Sequence, residues 1–244
     1  FPRDAAVENN TVAGSDDDGI AVIDASHLLV RNNRAERNED GIEVSRSSDL
    51  WLLSNDLDRN RDDGLKLGYS SSSSVRGNDA THNGDDGIYT HDLRHSSTML
   101  GNTIQDNGNR GIYVFHTALD STELYFTGNT IRNNVYHGIV ASASIFIDNL
   151  IEGNEFAISL TGKLGHRYTD ENGVDGNQFV NNKFNNVLGL YGRELQGTLT
   201  PNFPVAVTSG VHLFQRISYG TPSSAVAAND TLIIKPGVII KGGM

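Results

Sequence analysis

GIEVSRSSDLWLLSNDLDRN, residues 41–60, holds three short apolar segments, GIEV, LWLL and the lone Leu57 of NDLDRN, separated by polar turn residues. The unit recurs along the chain. Glycine followed by an apolar residue stands at Gly19, Gly41, Gly64, Gly87, Gly111 and Gly138, at intervals of 22 to 27 residues. Asparagine leads a second row at Asn10, Asn33, Asn55, Asn78, Asn102, Asn129 and Asn149, with Val12, Ala35, Leu57, Ala80, Ile104, Ile131 and Ile151 two positions later. The interval is too short for a propeller blade, the leucine scaffold of a leucine-rich repeat is missing, and no unit has a window long enough for a helix. Three strands per unit predict an all-β solenoid: a right-handed, single-stranded parallel β-helix of about seven coils over residues 1–190, the hand following from the rule for parallel crossovers. Coils then stack at the strand spacing of about 4.8 Å, so each repeat position becomes a column along the axis.

From Lys163 onward the pattern changes. KLGHRYTDENGVDGNQ, from Lys163, is a long polar insertion, NNKFNNVLGLYG resumes one degraded coil, and residues 191–244 read as alternating strands without the Gly-Ile repeat. This β-rich extension is expected to cap the solenoid or to begin a further domain, and its end can seat that domain or a neighbouring subunit. Composition narrows the partners. A formal charge of −11 makes nucleic acid and anionic membranes poor default partners, and no apolar run approaches the roughly 18 residues of a membrane span. With no cysteine there are no disulfides or thiolate metal sites.

Two columns have structural explanations. An inward row of asparagines can hydrogen-bond to itself and to turn backbone. Asp18, Asp40, Asp63 and Asp86, with Asp17, Glu39, Asp62 and Asp85 beside them, precede the repeat glycines, where aspartate favours a turn and glycine supplies positive φ. Stacked like charges about 5 Å apart also repel unless cations intervene, so calcium is the one ion these columns suggest; no other cofactor is implied.

The strand after each glycine splits into faces. Its first and third positions, such as Ile42/Val44, Leu65/Leu67 and Ile112/Val114, are nearly all apolar and face the core. Its second and fourth positions face out, and in the middle coils they carry Glu43, Lys66, Tyr89, His91, Tyr113 and Phe115. Arg46, Tyr69, Asp92 and His116 follow at the fifth position, where the strand turns. Aromatic platforms, cations and titratable groups on adjacent coils suit an acidic polysaccharide: rings lie against sugar faces, Lys and Arg pair with carboxylates, and His or Tyr moves protons. Five histidines, His82, His91, His95, His116 and His137, fall near this region, but the His91-x-x-x-His95 pair does not share a strand face, so no metal site is assigned to them.

GIYTHDLRHSSTMLGNTIQDNGNRGIYV, residues 87–114, resembles the segment of mannuronan C5-epimerases in which a Tyr-Gly-(apolar)-Asp-Pro-His-Asp motif precedes an Asn-rich turn and a Gly-Ile strand. Gly87, Ile88, His91 and Asp92 match that motif; Asp86 stands at its Tyr, and Tyr89-Thr90 at its Asp-Pro. The resemblance implies a secreted, cell-surface or periplasmic enzyme that removes the proton α to a uronate carboxylate, as a C5-epimerase or a lyase. His91 would then be base or acid, Tyr89 or Tyr113 the opposite proton donor, Arg94 or Lys66 the group neutralising the carboxylate, and Asp92 or His116 the group orienting the imidazole. Glu43, Arg46, Tyr69, Phe115 and His116 would contact substrate. The competing expectation is a non-catalytic solenoid that displays a surface or binds glycan without reacting.

Overall fold

The computed structural model describes residues 5–93, 95–115, 124–141, 144–161 and 177–191, with the short strands Gly197–Leu199, Val211–Phe214, Leu232–Ile234 and Ile239–Gly242. Arg94, His116 and the polar insertion after Lys163 lie outside the described residues.

Each coil supplies one strand to each of three parallel sheets. The seven-stranded sheet runs from Ala6–Glu8 to Ser144–Ile147, so six full turns separate its ends. The eight-stranded sheet runs from Thr11–Ala13 to Gln178–Val180, and the ten-stranded sheet starts at Ile20–Ile23, passes through Phe184–Tyr191 and ends with Val211–Phe214 and Ile239–Gly242. Gly197–Leu199 pairs separately with Leu232–Ile234. No helix occurs among the described residues, none long and apolar enough to cross a membrane. The parallel β-solenoid expected from the glycine and asparagine spacing is the observed architecture.

Register explains the repeat. Ile42, Leu65, Ile88, Ile112 and Ile139 stack as partners one coil apart, each within 1% of full burial. Phe126 and Phe146 stack in parallel at 5.1 Å inside the seven-stranded sheet. Space at the repeat glycines is closed: a Cβ on Gly64 would lie 2.7 Å from the carbonyl oxygen of Gly87.

The asparagines form two buried ladders. Within the first, the Asn78 side-chain oxygen accepts from the backbone N–H and the side-chain amide of Asn55, both at 2.9 Å, and the Asn78 amide donates to Leu52 O at 2.8 Å. The second ladder, Asn38, Asn60, Asn83, Asn107, Asn134, Asn154 and Asn182, repeats this geometry at the next corner. A buried amide with all its groups satisfied fixes both turn shape and coil register.

Candidate functional site

The ten-stranded sheet turns the second and fourth residues after each glycine outward, which aligns Glu43, Lys66, Tyr89 and Tyr113 as direct partners on successive coils. Rings continue this row along and across the strands. Tyr69 meets His91 edge-on at 4.8 Å, His91 stacks on Tyr89 at 5.6 Å, Tyr89 lies 5.6 Å from Tyr113, and Tyr113 meets Phe115 edge-on at 5.9 Å. Tyr69 and Phe115, at the two ends of this track, are 47% and 58% exposed. An open cleft of about 340 Å³ lies beside it, lined by Tyr89, Tyr113, Phe115, Lys66, Arg110 and four aspartates.

Gly68 creates the seat for His91. The two are partners one coil apart, and a Cβ on Gly68 would fall 2.5 Å from His91 Cε1. His91 Nδ1 is buried with no hydrogen-bond partner, so neither Asp92 nor any other described residue orients the imidazole through that atom; packing between Tyr69 and Tyr89 holds it. The strand then ends in left-handed backbone at Arg46, Tyr69 and Asp92, with φ of 49°, 51° and 53°. Non-glycine residues adopt that region at a cost, here met at the same corner of four consecutive coils, since Asp24 also has φ of 56°. Arg46 is committed to Asp24, 2.8 Å away and one coil back, and sits two coils from His91.

The cleft floor is the aspartate column. Asp40, Asp63 and Asp86 are nearly fully buried, and each carboxylate accepts a backbone N–H one coil on: Asp63 N–H on Asp40 at 2.9 Å, Asp86 N–H on Asp63 at 3.0 Å, and Arg110 N–H on Asp86 at 2.9 Å. The turn role expected for these acids is therefore met by direct capping of the neighbouring coil. Two cations close the ends. Lys66 Nζ lies 2.8 Å from Asp40 and 3.6 Å from Glu43, while Arg110 lies 3.2 Å from Asp86 with its guanidinium 3.8 Å above the Tyr113 ring.

Asp63 has neither cation. Burial, then the charge of Asp86, pushes its pKa up to about 9, so it stays protonated at neutral pH. Burial also raises Asp86, but Arg110 pulls back and leaves it at about 7. For Lys66, burial works against the ammonium, yet the hydrogen bond and charge of Asp40 outweigh it and the net shift is upward. Burial raises both Tyr89 and Tyr113 above the ordinary phenol value.

Three trios, Asp18/Asp40/Glu43, Asp40/Asp62/Asp63 and Asp63/Asp85/Asp86, hold carboxylate oxygens within 4.8 Å of one another, a spacing that a cation can bridge. Oxygen-only ligands suit a hard ion rather than zinc.

Sequence reasoning missed Arg110, Asp40, Asp63 and Asp86 as parts of one site. The signal was present: in the column Asp18, Asp40, Asp63, Asp86, the next coil places Arg110, a change of sign at the same turn position.

The family model described as "Right handed beta helix region" matches residues 3–156. No curated protein matches the chain. Among solved structures, the chain is similar to the A-module of the Azotobacter vinelandii mannuronan C-5 epimerase AlgE6, at 18% identity and a TM-score of 0.58, covering 81% of this chain and 53% of that one. It is similar also to a double mutant of the periplasmic alginate epimerase AlgG, at 16% identity and a TM-score of 0.54, covering 98% of this chain and 50% of that one. The chain thus spans about half the length of these structures, and at such identities the likeness concerns the fold. With the family model matching more than half of this chain and three parallel sheets wound coil upon coil, the chain belongs to the right-handed β-helix family.

Proposed function

We propose that the groove on the ten-stranded sheet removes the C5 proton of a uronate residue in an acidic polysaccharide, as a C5-epimerase or a lyase. The observation that carries this reading is an imidazole and two phenols in ring contact, His91, Tyr89 and Tyr113, between the cations Lys66 and Arg110. His91 takes or returns the proton. Tyr89 and Tyr113, whose raised pKa keeps them protonated, serve as the acid on the opposite face. Lys66 and Arg110 stabilise the charge that gathers on the uronate carboxylate as the C5–H bond breaks and its electron pair moves into the carboxylate. An epimerase then returns a proton to the other face of C5; a lyase breaks the C4–O4 bond and protonates O4. The exposed rings of Tyr69 and Phe115 supply stacking surface at the groove ends.

The charge of the buried aspartate column is offset, because Asp63 carries a proton and Asp40 and Asp86 each face a cation. Calcium on the Asp63/Asp85/Asp86 trio is a further part of the reading, since its hard-ligand preference fits three carboxylates and it would displace the Asp63 proton. Chelation followed by calcium, read as the melting temperature, tests that part: a rise on adding calcium supports it, and no change removes the ion. A polymeric acidic substrate also implies a protein that works outside the cytoplasm, secreted, on the cell surface or in the periplasm.

The second reading, a glycan-binding solenoid without chemistry, is favoured by the exposure of Tyr69 and Phe115, which suit contact rather than proton transfer. Incubation with polymannuronate and with polygalacturonate in D2O separates the readings. Deuterium at C5 by NMR marks epimerisation, ultraviolet-absorbing unsaturated ends mark elimination, and binding without either supports the second reading.

A further inference from the structure

The chain has one tryptophan, and it stands on a different sheet from the groove. Trp51 lies on the strand Ser48–Leu53 of the seven-stranded sheet, on its outer side, 43% exposed. Its partner one coil back is Leu29, half-buried, and its partner one coil on is Ser74, so no bulky side chain from the next coil stands beside its ring. Two residues along, Leu53 is flanked by Arg31 on the preceding coil and Arg76 on the following one. Arg31 is held by Glu8 at 2.7 Å. Arg76 is exposed and makes no ion pair among the described residues.

In a chain with a formal charge of −11, an unpaired guanidinium one coil on and two residues along from an exposed indole is a local exception. Its chemistry is specific: a planar apolar platform for a sugar face and a forked donor for a carboxylate. Arg31, two coils back, is already taken by Glu8, so Arg76 is the cation that this face offers to a carboxylate.

We propose that the outer face of the seven-stranded sheet around Trp51 and Arg76 is a second glycan-binding surface, taking an acidic polysaccharide laid along the solenoid axis. The proposal rests on the reading of the groove as acting on such a glycan. This surface holds the polymer and does no chemistry, so it raises the local concentration of chain available to the groove on another face of the same solenoid.

Because Trp51 is the sole tryptophan, its emission reports this surface directly. Polymannuronate oligomers titrated at low ionic strength should shift that emission saturably, and added salt should reverse the shift. The double variant Tyr89→Ala/His91→Ala, with the groove disabled, should keep the response. Arg76→Glu should weaken the emission-monitored affinity at least tenfold while leaving turnover of short oligomers unchanged, and an uncharged dextran should give no response. Four results overturn the proposal: no emission change while the wild type turns over polymer, which leaves the groove reading standing; loss of the response in the groove double variant; equal affinity in Arg76→Glu; or an emission that depends on protein concentration without glycan, which assigns the face to a second copy of the chain. Emission change without turnover in the wild type supports this surface and sinks the catalytic reading of the groove.

Discussion

Replacing Asp63 by asparagine should stabilise the protein, and the gain should grow with pH. Burial and the Asp86 charge raise the Asp63 carboxyl from 3.8 to about 9. A carboxyl raised in the folded state contributes its full stability only below its unfolded pKa, near 4, and loses it as pH climbs towards the folded value; the window is about pH 4 to 9. Within that window the unfolded chain is ionised while the folded one still holds the proton, and stability falls by at most about 1.4 kcal/mol per pH unit. From pH 5 to pH 7 the ceiling is about 2.7 kcal/mol, and solvent relaxation at an open cleft brings the expected value to ~1–2 kcal/mol. Asparagine removes the ionisation and keeps the acceptor for the Asp86 N–H, now at 3.0 Å. Urea unfolding at pH 5, 6, 7 and 8 and constant ionic strength gives the answer. The difference between Asp63→Asn and wild type should widen by that amount between pH 5 and 7. A difference that is flat with pH, or a variant destabilised throughout, would refute the assignment of Asp63 as a buried neutral acid.

Three further outcomes are expected. Asn102→Ala should cost about 3 kcal/mol by urea unfolding, because Val75 O loses its donor at 3.0 Å and the Asn78 N–H and amide lose their acceptor. Thr90→Val should raise stability by about 1 kcal/mol in the same assay, since the Thr90 hydroxyl is fully buried without a partner and valine matches its shape. Gly68→Ala should lower turnover at least tenfold while the melting temperature moves little, since the added Cβ displaces the His91 ring and little else.

The fold was legible because its determinants repeat. Gly41, Gly64 and Gly87 announce the strand of the ten-stranded sheet, and Asn55, Asn78 and Asn102 announce the corner before the eight-stranded one. Alternation within each strand then sorted Lys66, Tyr89 and Tyr113 outward without any knowledge of the turns. What eluded sequence reading were contacts between coils. Lys66 finds Asp40, 26 residues back, a diagonal that depends on turn geometry rather than on residue type, whereas Arg110 finds Asp86, 24 residues back, straight along the column of residues that precede the repeat glycines. The vacancy that seats His91 belongs to Gly68, whose significance appears only once the coils are in register. Arg94 and His116, also expected at the site, fall where the repeat is interrupted and outside the described residues.

The central claim is that the His91 groove performs proton transfer on a uronate polymer. The most direct test compares wild type and His91→Ala on polymannuronate and polygalacturonate, with C5 configuration read by proton NMR and unsaturated ends by ultraviolet absorbance. The account predicts new epimer or unsaturated ends with the wild type on at least one polymer, and neither with His91→Ala, whose melting temperature should match the wild type's because an outward side chain opens no core cavity. Wild-type protein that leaves both polymers unchanged, or a His91→Ala variant as active as wild type, would contradict it.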